Sequence, residues 1–311
     1  MTQTILITGG TGLVGTQLSK MLIERGFRII ILTRNPQKYT NTPQIQYTAW
    51  DVANQTIDLE ALSAADFIIH LAGAGVVDKK WNSKYKKEIL DSRTQSSKLI
   101  IEHLKGINHK VKAIVSSSAI GWYGPDKEKN YRFKETDPSD NSFLGVTCKL
   151  WEESIKPASS LGIRVCILRT GIVLSTKGGA LKEFLKPIQF GIASILGNGK
   201  QIISWIHIED LCRMFIHAIE NEKLSGSYNA VAPMPVTNKN FSITLARILK
   251  GNFFIPMYVP SFILKLMMGE SSIEVLKSTD VSCDKIKETG FVFYYPTLEA
   301  ALKNLLPKVK N

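Results

Sequence analysis

The stretch Thr4-Ile5-Leu6-Ile7-Thr8-Gly9-Gly10-Thr11-Gly12-Leu13-Val14-Gly15 leaves few folds open to this chain. Ile5, Leu6 and Ile7 form an apolar run without alternation, the pattern of a strand buried on both faces. Gly9, Gly12 and Gly15 then recur every third residue, and Leu13, Val14, Leu18, Met21, Leu22 and Ile23 follow at helical spacing. A glycine turn between such a strand and such a helix brings main-chain amides, at the positive helix end, up to a pyrophosphate. Gly9, Thr11, Gly12, Leu13, Val14 and Gly15 are therefore the candidate cradle. An ordinary tight turn is the alternative, and the strand before and helix after speak against it.

Apolar runs at 28–32, 45–50, 67–73, 111–115 and 163–168 alternate with helical stretches at 81–104 and 142–160. That alternation predicts an α/β fold built on a doubly wound parallel sheet. After Ser175, glycine pairs and prolines punctuate shorter segments. The chain thus reads as a nucleotide-binding domain over 1–175. The last sheet strands, interleaved with a smaller, mostly helical C-terminal lobe, occupy 176–311. Leu298, Ala301, Leu302 and Leu305 predict a final amphipathic helix.

The second run ends at Thr33-Arg34-Asn35. A nucleotide-binding fold that prefers NAD places a carboxylate near there, on the ribose 2′-hydroxyl. A carboxylate would repel a 2′-phosphate, whereas the Arg34 guanidinium can grip one through paired hydrogen bonds. Thr33 and Arg34 therefore predict NADP(H); the alternative leaves Arg34 as a solvated loop residue. Asp51, after the third run, either accepts from an adenine amine or caps the turn that follows. The small residues after the fourth run, Leu71, Ala72 and Gly73, let the backbone lie against a cofactor. His70 reads as a satisfied core histidine. The fifth run ends in Ser116-Ser117-Ser118, at the carboxyl end of a central strand, where open α/β sheets bind ligands. The polar loop 125–141 is expected at the rim of that cleft.

The formal charge is +12 with a pI near 9.4, and the basic residues are spread along the chain. The densest group, Lys79, Lys80, Lys84, Lys86 and Lys87 around Trp81 and Tyr85, reads as a solvated helix face rather than a nucleic-acid surface. The four cysteines are far apart and no metal-ligand spacing occurs, so no metal is expected. The first strand starts almost at Met1, and the apolar stretch 253–268 is broken by Pro256, Pro260 and Lys265. A cytoplasmic protein with no membrane partner is the expectation.

The glycine turn, His70-Leu71-Ala72-Gly73, the serine run and Trp205-Ile206-His207-Ile208-Glu209-Asp210 together resemble the extended short-chain dehydrogenase/reductase superfamily. Three further blocks resemble its atypical epimerase-family subgroup. They are Lys80-Trp81-Asn82 through Asp91-Ser92-Arg93, Gly197-Asn198-Gly199-Lys200-Gln201, and a tail from Val259-Pro260 to Leu302. That tail, at about 255–305, is similar to the subgroup's C-terminal domain of unknown function. The resemblance implies a Rossmann-type NADP(H) domain. It carries cofactor roles onto Gly9, Gly12, Gly15, Thr33, Arg34, Leu71 and Ala72, with Glu88 and Arg93 on the cofactor side. It adds a homodimer by analogy with extended relatives.

One departure stands out. The superfamily uses a tyrosine followed four residues later by a lysine that lowers the tyrosine's pKa. Lys149 suits the lysine position, but Gly145 stands four residues before it. Ser118 and Lys149 remain from the usual trio, and Tyr123 or an ordered water is the substitute proton donor. Trp122, Trp205 and His207 are the candidate substrate-side residues, with packing roles as the alternative. Two functions stay open. One is an NADP(H)-dependent oxidoreductase or epimerase acting on a small hydroxy or keto substrate, sugar nucleotides included. The other is a catalytically silent NADP(H)-sensing protein.

Overall fold

The computed structural model describes residues 2–128 and 131–306. The first half runs β1 Thr4–Thr8, α1 Leu13–Glu24, β2 Arg28–Thr33, β3 Ile45–Asp51, β4 Thr56–Ile57, α2 Leu59–Ala64, β5 Phe67–His70, α3 Ser83–Gly106, β6 Ala113–Ala119, α4 Phe143–Ile155 and β7 Arg164–Thr170. Then come β8 Ile172–Leu174, α5 Ala180–Gln189, β9 Ile192–Leu196, β10 Ile202–Ile203, β11 Trp205–His207, α6 Ile208–Glu220 and β12 Gly226–Ala230. Eight strands form the main sheet in the order β12-β7-β6-β5-β1-β2-β3-β4. All pairs are parallel except the short β3–β4 edge, which is antiparallel. This is the doubly wound, Rossmann-type sheet that the strand–helix alternation predicts.

The apolar runs lack alternation because both sheet faces are covered. Ile5 and Ile7 face one core with Leu18 and Leu22 of α1 and Phe215 of α6. Leu6 faces the other core with Ile30, Ile68, Leu99 and Ile114. A third core gathers Leu174, Trp205, Phe241, Leu245 and Leu302 in the C-terminal half. Burial of this kind contributes about 25 cal/mol per Å² of apolar area.

Local signals set the ends of the long helices. The Asn82 side chain accepts from Tyr85 N at 2.8 Å, so α3 starts at Ser83, two residues later than the sequence pattern suggests. The Ser142 hydroxyl caps α4 by accepting from Gly145 N. Pro157 has no amide to continue α4, which passes into a 3₁₀ turn at Lys156–Leu161 and ends in left-handed Gly162. Only the 3₁₀ turn Pro36–Lys38 lies between β2 and β3, too little chain for a covering helix. The stacked rings of Tyr39 and Tyr47 stand there instead, beside a groove of about 540 Å³.

The C-terminal region adds β13 Val236–Thr237, α7 Asn238–Lys250, β14 Ile255–Val259, α8 Ser261–Met268 and a last helix at Leu298–Leu305. Lys129 and Asn130 of the loop 125–141 lie outside the described residues. The rest of that loop is tied down: Asp126 N donates to Ser278 O and Phe133 N to Asp280 O, both at 2.8 Å. No helix among the described residues is long and apolar enough to cross a membrane.

Candidate functional site

The cradle is built by close backbone approach. Gly9 has φ +68°, and a Cβ there would lie 2.9 Å from the Leu71 carbonyl carbon. Thr8 fixes the same junction, its hydroxyl accepting from Leu71 N and Ala72 N at 3.2 Å each. At Gly15 a Cβ would fall on the Gly9 carbonyl and 2.5 Å from Gly10 Cα, so helix and turn touch only because the side chain is missing. Gly12 precedes α1 without a side-chain cap, and the first turn of α1 contains no acid. The helix end thus offers a positive pole to an anion. Leu13 closes one side of the turn, its methyls within about 4 Å of where Cβ atoms on Gly178 and Gly179 would stand. The residues present fit a dinucleotide pyrophosphate.

His70 anchors the floor of this region. The Thr8 hydroxyl, which accepts from two amides, donates to Nδ1 at 2.8 Å. Nε2 then donates to the Ser96 and Ser97 hydroxyls at 3.2 and 3.1 Å. The ring is neutral, and burial pushes its pKa down to about 4. Histidine in the unfolded chain titrates near 6.5, so below that pH the unfolded state binds a proton the folded state refuses. This contribution is complete above about pH 6.5 and is lost as the pH falls towards 4, on the order of 3 kcal/mol in all. Urea midpoints at neutral and acid pH should show this slope in the wild type and a shallower one in His70→Asn.

The other cofactor candidates fall into two groups. Thr33 ends β2 and Arg34 follows it, exposed. Arg93 reaches from α3 towards the β5 exit, and a Cβ on Gly73 would lie 3.1 Å from its guanidinium carbon. Its Nη1 donates to Ile89 O at 2.8 Å, the Trp151 ring stands 5.0 Å away, and it has no carboxylate partner among the described residues. Burial lowers its pKa. Glu88, by contrast, is exposed and pairs with Lys79 at 3.4 Å, so it does not orient Arg93. Asp51 is committed to its turn, accepting from Ala53 N at 2.8 Å, Asn54 N at 3.1 Å and Asn54 Nδ2 at 2.8 Å. Those bonds, chiefly from Asn54, hold its carboxyl below the usual range and favour the capping role over an adenine contact.

The catalytic candidates do not meet in a cleft. Ser118 is 2% exposed and donates to Glu152 Oε1 at 2.8 Å. Tyr123 is fully buried, stacked on Phe133, with its hydroxyl donating to Asn229 at 2.7 Å and accepting from Arg169 at 3.0 Å. Burial pushes its pKa up to about 12, against the pull of Arg169, so the hydroxyl stays protonated. Lys149 is exposed on the outer side of α4. The inward positions four residues apart on α4 are Leu144 and Cys148, both buried. A Cβ on Gly121 would lie 3.3 Å from Leu144 Cβ and 3.6 Å from Cys148 Sγ. The correction is a one-residue shift, about 100° around the helix. Neither register supplies a tyrosine. Burial also pushes the Cys148 thiol up to about 11.

The substrate-side candidates are each held by packing and hydrogen bonds. The Trp122 ring stacks on the Arg169 guanidinium at 3.7 Å and its Nε1 donates to Asp137 O at 2.9 Å. Trp205 is fully buried and donates to Met234 O at 3.0 Å. His207 caps α6 by accepting from Glu209 N at 3.1 Å and packs on Tyr295 at 3.8 Å; burial lowers its pKa. What the sequence pattern did not single out is the knot behind them. Glu152 accepts from Arg169 Nε at 2.8 Å, Arg169 Nη2 at 3.0 Å and Ser227 at 3.0 Å, beneath the serine run. The one signal was a charge on the inner face of an amphipathic helix, with an arginine ending an apolar strand.

The open space lies elsewhere. A cavity of about 630 Å³ sits between Gly124, the start of α4 and the segment from α8 onward. Asp140, Ser142, Lys265, Glu270, Glu274 and Lys277 line it. Glu274 pairs with Lys277 at 2.8 Å and Glu270 with Lys86 of α3 at 2.6 Å. Charged side chains of both signs ring it, while the surface it exposes is mainly apolar.

Comparison with known proteins fits this geometry. Residues 5–231 match the NAD dependent epimerase/dehydratase family, and residues 259–305 match a domain of unknown function, DUF1731. An epimerase family protein of Staphylococcus saprophyticus is 37% identical over 302 residues, 97% of this chain and 98% of that one. A human epimerase family protein solved with NADPH superposes with TM-score 0.84 at 29% identity, covering 97% of this chain and 99% of that chain. A nucleoside-diphosphate sugar epimerase of Corynebacterium glutamicum gives TM-score 0.78 at 30% identity, over 98% of this chain and 58% of that chain. This chain belongs to the NAD dependent epimerase/dehydratase family and carries the C-terminal domain of its epimerase-family relatives.

Proposed function

We propose that the protein binds NADP(H) and acts as an oxidoreductase or epimerase on a small hydroxy or keto substrate, with nucleotide sugars as the leading class. The carrying observation is the glycine cradle at an uncapped, acid-free helix start, with Arg34 rather than a carboxylate at the end of β2. The nicotinamide supplies or accepts the hydride when it is bound. The protein's own part is to hold it: the amides after Gly12 take the pyrophosphate, Arg34 the 2′-phosphate, and Arg93 offsets negative charge beside Gly73. Substrate occupies the cavity between Asp140 and Lys277. The nucleotide-binding unit is 1–175, and the substrate side joins its Gly124–Ser142 stretch to the lobe within 176–311.

Calorimetric titration tests the cofactor assignment. NADPH is expected to bind at least about tenfold more tightly than NADH, and Arg34→Ala to remove most of that difference, since a charge-assisted contact contributes about 1.5–3 kcal/mol. Equal affinities in the wild type would sink it. The second reading, a protein that senses NADP(H) without turnover, is favoured by Leu144 and Cys148 at the inward positions of α4, where no acid stands. NADPH oxidation across a panel of ketones and keto sugars, assayed together with epimer interconversion of nucleotide sugars, separates the two.

A further inference from the structure

On the α1 side of the sheet a groove runs between α1 and β3, where no helix follows β2 to cover the strands. Ile23, Ile31 and Ile45 line it together with Tyr39 and Tyr47, whose rings stack at 4.7 Å with 14° between their planes. Its volume of about 540 Å³ is that of a small-molecule site. Ser19 of α1 lines it too. That residue is 4% exposed, and its hydroxyl has no hydrogen-bond partner among the described residues. Hydroxyls on other helices close on the carbonyl four residues back: Thr94 on Leu90 O at 3.1 Å, Ser97 on Arg93 O at 2.9 Å and Thr147 on Phe143 O at 2.7 Å. Ser19 does not, which leaves a buried polar group facing the groove for a partner from outside the fold.

We propose that this groove binds an uncharged aromatic molecule carrying one hydroxyl, carbonyl or amine group, at a site distinct from the nucleotide cradle. Charge is the first argument. Lys20 and Glu24 are the charged residues among those that line it; they pair with each other at 3.9 Å, their side chains 73% and 59% exposed. An ion held over the isoleucines would therefore go without a partner. Shape is the second. The flat tyrosine pair can be extended by stacking a further ring, a gain that an aliphatic chain does not share. Position is the third. Ile45 opens β3, and Lys20 and Glu24 lie in the last turns of α1, so the groove reaches the end of the sheet opposite Arg34 and Leu71, which follow β2 and β5. It meets the cradle at Gly10 and Thr11, where the turn leans on the groove floor: a Cβ on Gly10 would lie 2.8 Å from the Ile31 side chain.

Fluorescence titration of the full chain with N-phenylnaphthylamine, an uncharged ring probe with one N–H, is the test, run with and without saturating NADPH. One probe molecule is expected per chain, and NADPH should not displace it. Ser19→Ala and Tyr39→Ser should each weaken the probe by about tenfold. Lys20→Trp, filling the groove from an exposed position, should abolish its binding. NADPH affinity and the thermal midpoint should hold in all three. Phe262→Ser, which removes an exposed ring from α8, should leave probe binding unchanged. Naphthol should compete at least about tenfold better than decanol, an apolar chain with the same hydroxyl. Absence of saturable binding overturns the proposal, as does displacement of the probe by NADPH, which would put it in the cradle. So does binding that survives Lys20→Trp but is lost with Phe262→Ser, or decanol competing as well as naphthol.

Discussion

Glu152→Ala is expected to cost about 3–5 kcal/mol of stability, the scale for removing one member of a buried ion pair. Arg169 is 3% exposed and Glu152 1%, and both carboxylate oxygens accept from the guanidinium. Alanine leaves that cation desolvated with only the Tyr123 hydroxyl and the Glu135 carbonyl as acceptors. It also strips the acceptor from Ser118 and Ser227. At roughly 1.5 °C per kcal/mol for a chain of 311 residues, the thermal midpoint should fall by about 5–8 °C. Replacing both partners, Glu152→Met with Arg169→Met, removes the stranded charge and should recover much of the loss. A single substitution that costs under about 1 kcal/mol in urea unfolding would mean that water reaches the pair.

Gly15→Ala should abolish NADPH binding while leaving most of the sheet folded. The added carbon lands on the Gly9 carbonyl and 2.5 Å from Gly10 Cα. Both are backbone atoms, so the turn itself must move, and with it the amides that face the phosphates. The expected loss is at least about a hundredfold in affinity, or some 2.7 kcal/mol. Gly106→Ala is the matched control. It ends α3 with nothing within 4 Å of the added carbon, so it should bind NADPH normally and be no less stable. If Gly15→Ala binds as tightly as Gly106→Ala, the cradle is not where the nucleotide sits.

The contrast between the two sites explains what could be read from sequence. The cradle is local: strand, three glycines and helix lie within a dozen residues, and each glycine answers to atoms a few residues away or to the neighbouring strand. The parallel sheet was equally open, because strands covered on both faces announce themselves as unbroken apolar runs. Helix α4 was not. Its motif is fixed only by helix phase, and a slip of one residue exchanges the inward Leu144 and Cys148 for Gly145 and the exposed Lys149. The surroundings of Tyr123, Trp122 and Ser118 were hidden for another reason. Their partners Asn229, Arg169 and Glu152 come from β12, β7 and α4, so their burial is set by contacts as far as 106 residues along the chain.

The position of β12 at the end of the sheet bears on how the protein can be made. Arg169 of β7 and Tyr123 meet β12 and its neighbours through Asn229 and Ser227, yet β12 is translated only after residues 172–225. While those residues are still emerging from the ribosome, β7 presents an unpaired hydrogen-bonding edge next to a desolvated carboxylate. A fragment ending near residue 175 should therefore aggregate rather than purify as a small nucleotide-binding module, and shortening the chain is a poor route to crystals of the cradle alone.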